Sequence, residues 1–351
     1  MPLELQQLGL GPFRERLPWC GADLQTLRDT LRPAHLPPEQ GTPVELPAGR
    51  PPGVRPVPGS ERLLGLLDPP LSRTACLALV VLLHGLGGSS AREGLRRLAW
   101  ALRRTGFAVL RLNLRGADPG RHLAPGTYAA NSNADLLPAL QQARQLAAGR
   151  PLLGVGVSLG GTQLLNAALA VPGLLDGLAC VSSPLDLADC SSQIERPRNA
   201  VYQRWLLQRL VRQTLADPFG VGVEEREALE AGGGPRTIRA FDAAITASRW
   251  GYRSVEHYYD QASPLQRLLD PGPSAALPPT LLVHALDDPW VPAAATVRVA
   301  ETASRAAAGG WPEVLLTPRG GHNGFHGVGD GPSGCWSDRL VARWLSRLAE
   351  R

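Results

Sequence analysis

The 351-residue chain contains no lysine; all 36 of its basic side chains are arginine. That absence excludes several kinds of chemistry. A Walker-type P-loop needs a lysine on the phosphates, and imine chemistry with pyridoxal phosphate or carbonyl substrates needs a lysine amine. Ser-Lys dyads are excluded too, as is the phosphate-pairing strand lysine of a protein kinase. Aromatic residues are scarce at 5%, and no stacking motif of the RNA-binding kinds is present. The net charge is +5, but the arginines are interleaved with acids: Arg96, Arg97, Arg103 and Arg104 share one helical pattern, and Glu224 to Glu230 is an acidic run. No nucleic-acid partner is expected from such a footprint. The five cysteines (Cys20, Cys76, Cys180, Cys190, Cys335) are odd in number and form no C-x-x-C pair. They read as reduced thiols of a cytoplasmic protein, with neither a disulfide framework nor a zinc site. No basic segment opens the chain, so no secretory signal is expected. The longest unbroken apolar run is nine residues, Ala75 to Leu83, too short for a transmembrane segment.

Glycine and proline are plentiful, at 39 and 33 residues. Nine prolines fall between Pro33 and Pro58, a density that prevents a continuous helix or a central strand. Residues 1–60 therefore read as a Pro-rich N-terminal arm, with a short helix near Asp23 to Thr30. For Pro47 to Pro58 a disordered linker is the alternative left open. From Leu77 the texture changes. Leu77 to Leu83 is a buried-strand run closed by His84-Gly85, and Leu95, Leu98, Ala99 and Leu102 follow helical spacing up to Gly106. A strand over Phe107 to Leu112, a helix over Asp135 to Ala147, strands over Leu152 to Val157 and Leu178 to Ser182, and a helix to Ala170 complete the first half. The rhythm resumes with a strand at Thr280 to His284, a helix Ala294 to Ala307, a strand Glu313 to Thr317 and a last helix Trp336 to Ala349. This alternation predicts an α/β fold with a mostly parallel, doubly covered sheet. The expected division is a core over 61–183 and 276–351, interrupted by a helical cap insertion over 184–275.

Gly156-Val157-Ser158-Leu159-Gly160 is a G-x-S-x-G placed where a strand turns sharply into a helix. A nucleophile held on such a turn needs small neighbours, and the helix behind it aims its first amides at developing negative charge. Partners of a serine nucleophile follow in the order acid, then histidine. Asp287 and Asp288 follow the strand ending at His284, and Gly320-Gly321-His322 follows the strand ending at Thr317. Both lie at carboxyl ends of expected parallel strands, where open α/β sheets place their sites. Asp288 stands four residues before Pro292 and is favoured as the acid, with Asp287 as the alternative, which would instead cap the turn. The oxyanion-binding amides are expected at Leu159 and, from His84-Gly85-Leu86-Gly87-Gly88, at Leu86.

Other readings compete. Gly154, Gly156 and Gly160 also form a dinucleotide-like glycine pattern, but that fingerprint normally opens the first βαβ unit and leaves Ser158 unexplained. His322 and His326 have the spacing of a helical zinc pair, but Gly324 lies between them and no Glu follows His322, so no metal is expected. His284 reads as a satisfied buried residue. Val201 to Leu215 alternates Leu206, Leu207, Leu210 and Val211 with Arg204, Arg209 and Arg212. It suits a packed cap helix better than one lying on a membrane surface.

Taken together, these motifs resemble the YheT-like group of α/β-hydrolases. The resemblance runs from about Trp19 to the last helix. Beyond the motifs above, it includes Leu24-Gln25-Thr26-Leu27, Asn113-x-Arg115-Gly116, Val201-Tyr202-Gln203-Arg204, Phe241-Asp242-x-x-Ile245-Thr246, Gly251-Tyr252 with Tyr258-Tyr259, and Gly320-Gly321-His322-x-Gly324-Phe325. Asp23 and Ala117 depart from it, standing where the group often has His and Cys. The resemblance implies an α/β-hydrolase fold and a carboxylic-ester hydrolase with Ser158, Asp288 and His322 as triad. The expected substrate is a small-molecule or lipid ester, of short- or medium-chain acyl or acylglycerol type, turned over without a cofactor. An acyltransferase and a non-catalytic ligand-binding module on the same fold are the alternatives.

Overall fold

The computed structural model describes residues 4–38, 41–71, 76–270, 277–305 and 312–350. The chain enters through helix α1 (Ala22–Leu31), then strands β1 (Thr42–Pro47), β2 (Arg62–Asp68) and β3 (Leu79–Leu83), helix α2 (Glu93–Arg104), strand β4 (Ala108–Leu112) and helix α3 (Asn133–Leu146). Strand β5 (Leu152–Val157), helix α4 (Leu159–Ala170) and strand β6 (Gly177–Val181) follow. Seven helices then intervene: α5 (Leu187–Ile194), α6 (Ala200–Leu215), α7 (Val223–Glu230), α8 (Ile238–Phe241), α9 (Ala247–Arg249), α10 (Val255–Ala262) and α11 (Leu265–Leu269). Strand β7 (Thr280–Ala285), helix α12 (Ala294–Arg305), strand β8 (Glu313–Thr317) and helix α13 (Trp336–Ala349) end the described chain. The expected extension of α12 to Ala307 lies outside the described residues.

The eight strands form one sheet in the order β1-β2-β4-β3-β5-β6-β7-β8. Strand β2 runs antiparallel to its neighbours β1 and β4, and the pairs from β4 through β8 are parallel. Every residue of β3 is buried, as the unbroken apolar run requires of a strand covered on both faces. The period of two then sorts the side chains. Val80, Leu82, Val109, Leu153 and Val155 pack with α2 and α13, while Leu79, Val81, Leu83, Leu110 and Leu152 pack with α3 and α4. The inserted helices have an apolar cluster of their own, built on Ile194, Leu206, Leu207, Leu210, Phe241 and Ile245.

Strand β1 was not foreseen in the Pro-rich arm. It carries Pro43 and Pro47 and lies at the sheet edge, where a missing amide leaves no ladder bond broken. Nor is the following segment a disordered linker. The Gly53 amide donates to Arg249 O at 2.9 Å and Val54 is buried.

Arg115 ties this segment to the core. Its guanidinium donates to Gly49 O in this segment and, beyond it, to Asp135 at 2.9 and 2.6 Å, to Glu61 at 2.7 Å and to Pro125 O at 2.8 Å, with Arg115 and Asp135 each 1% exposed. Removing one member strands a buried charge, which costs far more than the net worth of the pair. Arg115→Met is therefore expected to lower unfolding free energy by about 3–5 kcal/mol in chemical denaturation. Arg115→Met with Asp135→Leu should recover most of that loss.

Candidate active site

Strand β5 turns into α4 at Ser158, whose backbone has φ +54° and ψ −127°. This left-handed, strained conformation is tolerated only where the surroundings fix it. They leave no room for larger residues: a Cβ on Gly156 would come within 2.3 Å of Gly161 Cα, and one on Gly160 within 2.6 Å of Leu83 O. The Ser158 amide donates to Val181 O at 2.8 Å, so the turn is held by the neighbouring strand.

Ser158 Oγ lies 3.0 Å from His322 Nε2, and His322 Nδ1 lies 2.8 Å from Asp288 Oδ2. The second oxygen of Asp288 accepts from the Trp290 and Val291 amides at 2.8 and 2.9 Å. Burial acts to raise the Asp288 carboxyl, but His322, His284 and the Val291 amide together hold it below its ordinary value. The Trp290 ring stacks on the imidazole, with centroids 4.6 Å apart and planes at 27°. Asp287 is placed differently. Its Oδ1 accepts from the Gly321 amide at 2.9 Å, fixing the loop that carries His322. His284 is buried and satisfied, contacting Val291 O and Thr296 Oγ1 at 3.0 Å each. His326 turns away from His322 toward Asp29, at 3.3 Å.

Sequence spacing gave no sign that α1 shapes this site. Thr26 Oγ1 accepts from the His322 amide at 2.9 Å, and Gln25 both accepts from the His326 amide at 2.8 Å and donates to His326 O at 3.0 Å. Gly321 has φ +58°, and a Cβ there would lie 2.3 Å from Ala22 O. The Leu24-Gln25-Thr26-Leu27 motif therefore positions the histidine loop across almost the whole length of the chain. Its signal lay only in the family resemblance, because nothing local pairs residues 26 and 322.

The glycine loop after β3 lies directly against the nucleophile, where a Cβ on Gly85 would fall 2.9 Å from Ser158 Cβ. Gly87 is gripped at both ends: its amide donates to Tyr128 Oη at 2.6 Å and its carbonyl accepts from Arg209 Nη2 at 2.6 Å. Gly88 donates to Gly85 O at 3.0 Å. With those two amides engaged, neither is free to meet an incoming oxyanion. Leu159 opens α4, so its amide is one of the first-turn donors that lack an intrahelical partner.

His84 braces the loop from below. Leu114 N donates to its Nε2 at 3.2 Å, so the proton sits on Nδ1, which donates to Gly85 O at 2.9 Å. Burial pushes this imidazole down to about 4. The unfolded chain, with its histidine near 6.5, then binds more protons between pH 4 and 6.5, so stability falls as pH falls through that window. One such group corresponds to about 3 kcal/mol. Denaturation curves at pH 4.5 and 7 should show wild type losing more stability than His84→Gln. Equal losses would contradict the assignment.

A cavity of about 610 Å³ opens onto Ser158 and His322. Its walls include Leu187, Ile194, Leu206, Leu210, Ile238 and Phe241 from the inserted helices, with Tyr128 and Trp290 nearer the triad. Helix α6 therefore packs inward, burying Leu206, Leu207 and Leu210. Among the described residues, no helix is long and apolar enough to cross a membrane.

A strand-to-helix serine turn, an acid and a histidine in the loops after successive later strands, and one antiparallel strand in an otherwise parallel β1–β8 sheet define an α/β-hydrolase. Residues 78–327 match the alpha/beta hydrolase fold family, and the chain belongs to it. It is similar to mouse phospholipase ABHD3, with 29% identity over 278 residues, which is 77% of this chain and 64% of that protein's length. It is also similar to Escherichia coli YheT, with 28% identity over 278 residues covering 77% of each chain. Among solved structures, Est1E from Butyrivibrio proteoclasticus aligns over 89% of this chain and 100% of its own, with a TM-score of 0.53 and 16% identity, a likeness of fold.

Proposed function

We propose that the chain is a serine hydrolase that cleaves carboxylic esters through an acyl-Ser158 intermediate, acting on short- or medium-chain acyl or acylglycerol substrates. The observation that carries this reading is the continuous contact from Asp288 through His322 to Ser158, at 2.8 and 3.0 Å, on the wall of an apolar cavity. The cap expected over 184–275 forms much of that wall through its described residues, 184–270.

In this reading His322 Nε2 takes the Ser158 proton as Oγ bonds to the ester carbonyl carbon, and Asp288 stabilises the imidazolium that forms. The carbonyl π-electrons move onto oxygen, which the Leu86 and Leu159 amides receive. Each such donor is typically worth about 3–4 kcal/mol in the transition state. Collapse of the tetrahedral adduct breaks the bond to the alkoxide, which leaves with the proton from His322. Water then repeats the sequence on the acyl-enzyme, releasing the acid and restoring Ser158. The name of the mouse relative, a phospholipase, fits a lipid ester as substrate.

The test is labelling with a fluorophosphonate followed by turnover of p-nitrophenyl esters of graded chain length. Labelling with turnover of at least one ester is expected. Wild-type protein that neither labels nor hydrolyses any of them would favour a binding module. Acyl groups that partition to added alcohol in preference to water would favour an acyltransferase.

A further inference from the structure

The motif Phe241-Asp242-x-x-Ile245-Thr246, with Tyr258-Tyr259, takes no part in the triad, yet its polar atoms lie on the wall of the same cavity. Residues Asp242–Thr246 form a π-turn between α8 and α9. Such turns are rare and recur at functional sites. Thr246 Oγ1 donates to Asp242 Oδ1 at 2.7 Å, and Tyr259 Oη donates to Asp242 Oδ2 at 2.9 Å. Asp242 itself is only half-buried, and it lines the cavity.

A carboxylate offers about four acceptor positions. Two hydroxyls occupy part of that capacity, and no cation among the described residues acts on Asp242. Desolvation pushes the carboxyl up to about 6, against the lowering pull of the Thr246 and Tyr259 hydroxyls. Tyr128 connects the patch to the reaction centre. Its Oη accepts from Gly87 in the loop beside Ser158, and its phenol is close enough to feel the charge of Asp242. Elsewhere the cap wall sets Leu206, Leu210 and Ile238, which suit an acyl chain, beside the polar Arg209 and Gln213. A simple acyl chain carries no hydrogen-bond donor, so within an ester substrate a donor for the spare lone pairs of Asp242 comes from the alcohol portion.

We propose that Asp242, held by Thr246 and Tyr259, accepts a hydrogen bond from a free hydroxyl on the alcohol portion of the substrate, and so selects esters of polyhydric alcohols over esters of simple alkanols. This rests on the hydrolase reading above and extends it to the leaving group. A site built to bond a hydroxyl discriminates against the analogue that lacks it, because its own polar atoms are then left unpaired.

The experiment compares kcat/KM for three butyrate esters, glycerol 1-monobutyrate, propyl butyrate and butyrylcholine, in wild type, Asp242→Leu and Tyr259→Phe. Fluorophosphonate labelling of Ser158 in each protein reports whether the reaction centre is assembled. Wild type should favour monobutyrate over propyl butyrate by about tenfold to hundredfold, the range of one hydrogen bond to a charged acceptor. Asp242→Leu should collapse that ratio toward one, and Tyr259→Phe, which removes a single hydroxyl, should reduce it. A flat ratio in wild type that labels normally, or a ratio that survives both substitutions, overturns the subsite while leaving the hydrolase standing. A preference for butyrylcholine that Asp242→Leu abolishes would assign the carboxylate to a cation and overturn it as well. Wild type that neither labels nor turns over any ester would defeat the hydrolase reading, and the subsite with it.

Discussion

Ser158→Ala is expected to lower ester turnover by on the order of 10⁴-fold or more, with KM little changed. The reason is that, in the proposed mechanism, the hydroxyl is the only atom of Ser158, His322 and Asp288 that bonds to substrate. In the proposed reaction its 3.0 Å contact to His322 Nε2 lets the imidazole take the proton that makes a weak alcohol a nucleophile at neutral pH. The residual rate should not reach zero. The Leu86 and Leu159 amides and the apolar cavity survive the substitution, and oxyanion stabilisation with binding alone leaves measurable catalysis in enzymes of this design. Steady-state kinetics on a p-nitrophenyl ester, with a denaturation curve to show that the variant is folded, checks the expectation. A variant that retains a tenth of wild-type turnover would remove Ser158 from the reaction.

The second large effect separates two adjacent aspartates. Asp288 Oδ1 is held by the Trp290 and Val291 amides, while Oδ2 faces His322 Nδ1. In Asp288→Asn the remaining oxygen stays with the two amides, which turns the new NH₂ toward the imidazole. The histidine is then forced to present its lone pair at Nδ1 and its proton at Nε2, the wrong tautomer to accept a proton from Ser158. A fall in kcat on the order of 10⁴-fold is expected, as for comparable tautomer reversals. Asp287 only accepts from the Gly321 amide, and an asparagine oxygen accepts that bond equally well. Asp287→Asn should therefore stay within about tenfold of wild type. If Asp287→Asn were the more damaging of the two, the acid would be assigned wrongly.

Much of the architecture could be read from the pattern alone, because the core strands are buried on both faces. Val80 and Val81 point to opposite sides of the sheet, and both meet apolar helices, so β3 reads as an unbroken run with no need of context. The serine turn, the two aspartates and His322 were likewise legible, since each is fixed by the strand immediately before it. What could not be read depends on contacts between distant segments. Strand β1 is hidden because Pro43 and Pro47 are tolerated only at an edge, and edge position is decided by its pairing with β2. The bond from Thr26 to the His322 amide joins residues 296 apart in the chain, a distance no local period encodes. The choice between Asp288 and Asp287 turned on which carboxylate the loop aims at an imidazole from another strand.

Covalent acylation of one hydroxyl during turnover is the step on which the proposed reaction depends. Its most direct measurement is peptide mass mapping of the wild-type protein after reaction with a fluorophosphonate, with a second sample preincubated with an ester substrate. A single phosphonylated peptide, modified at Ser158 and formed more slowly in the presence of the ester, is expected. Modification of a different residue, or an unmodified Ser158 in protein that still hydrolyses the ester, would contradict it.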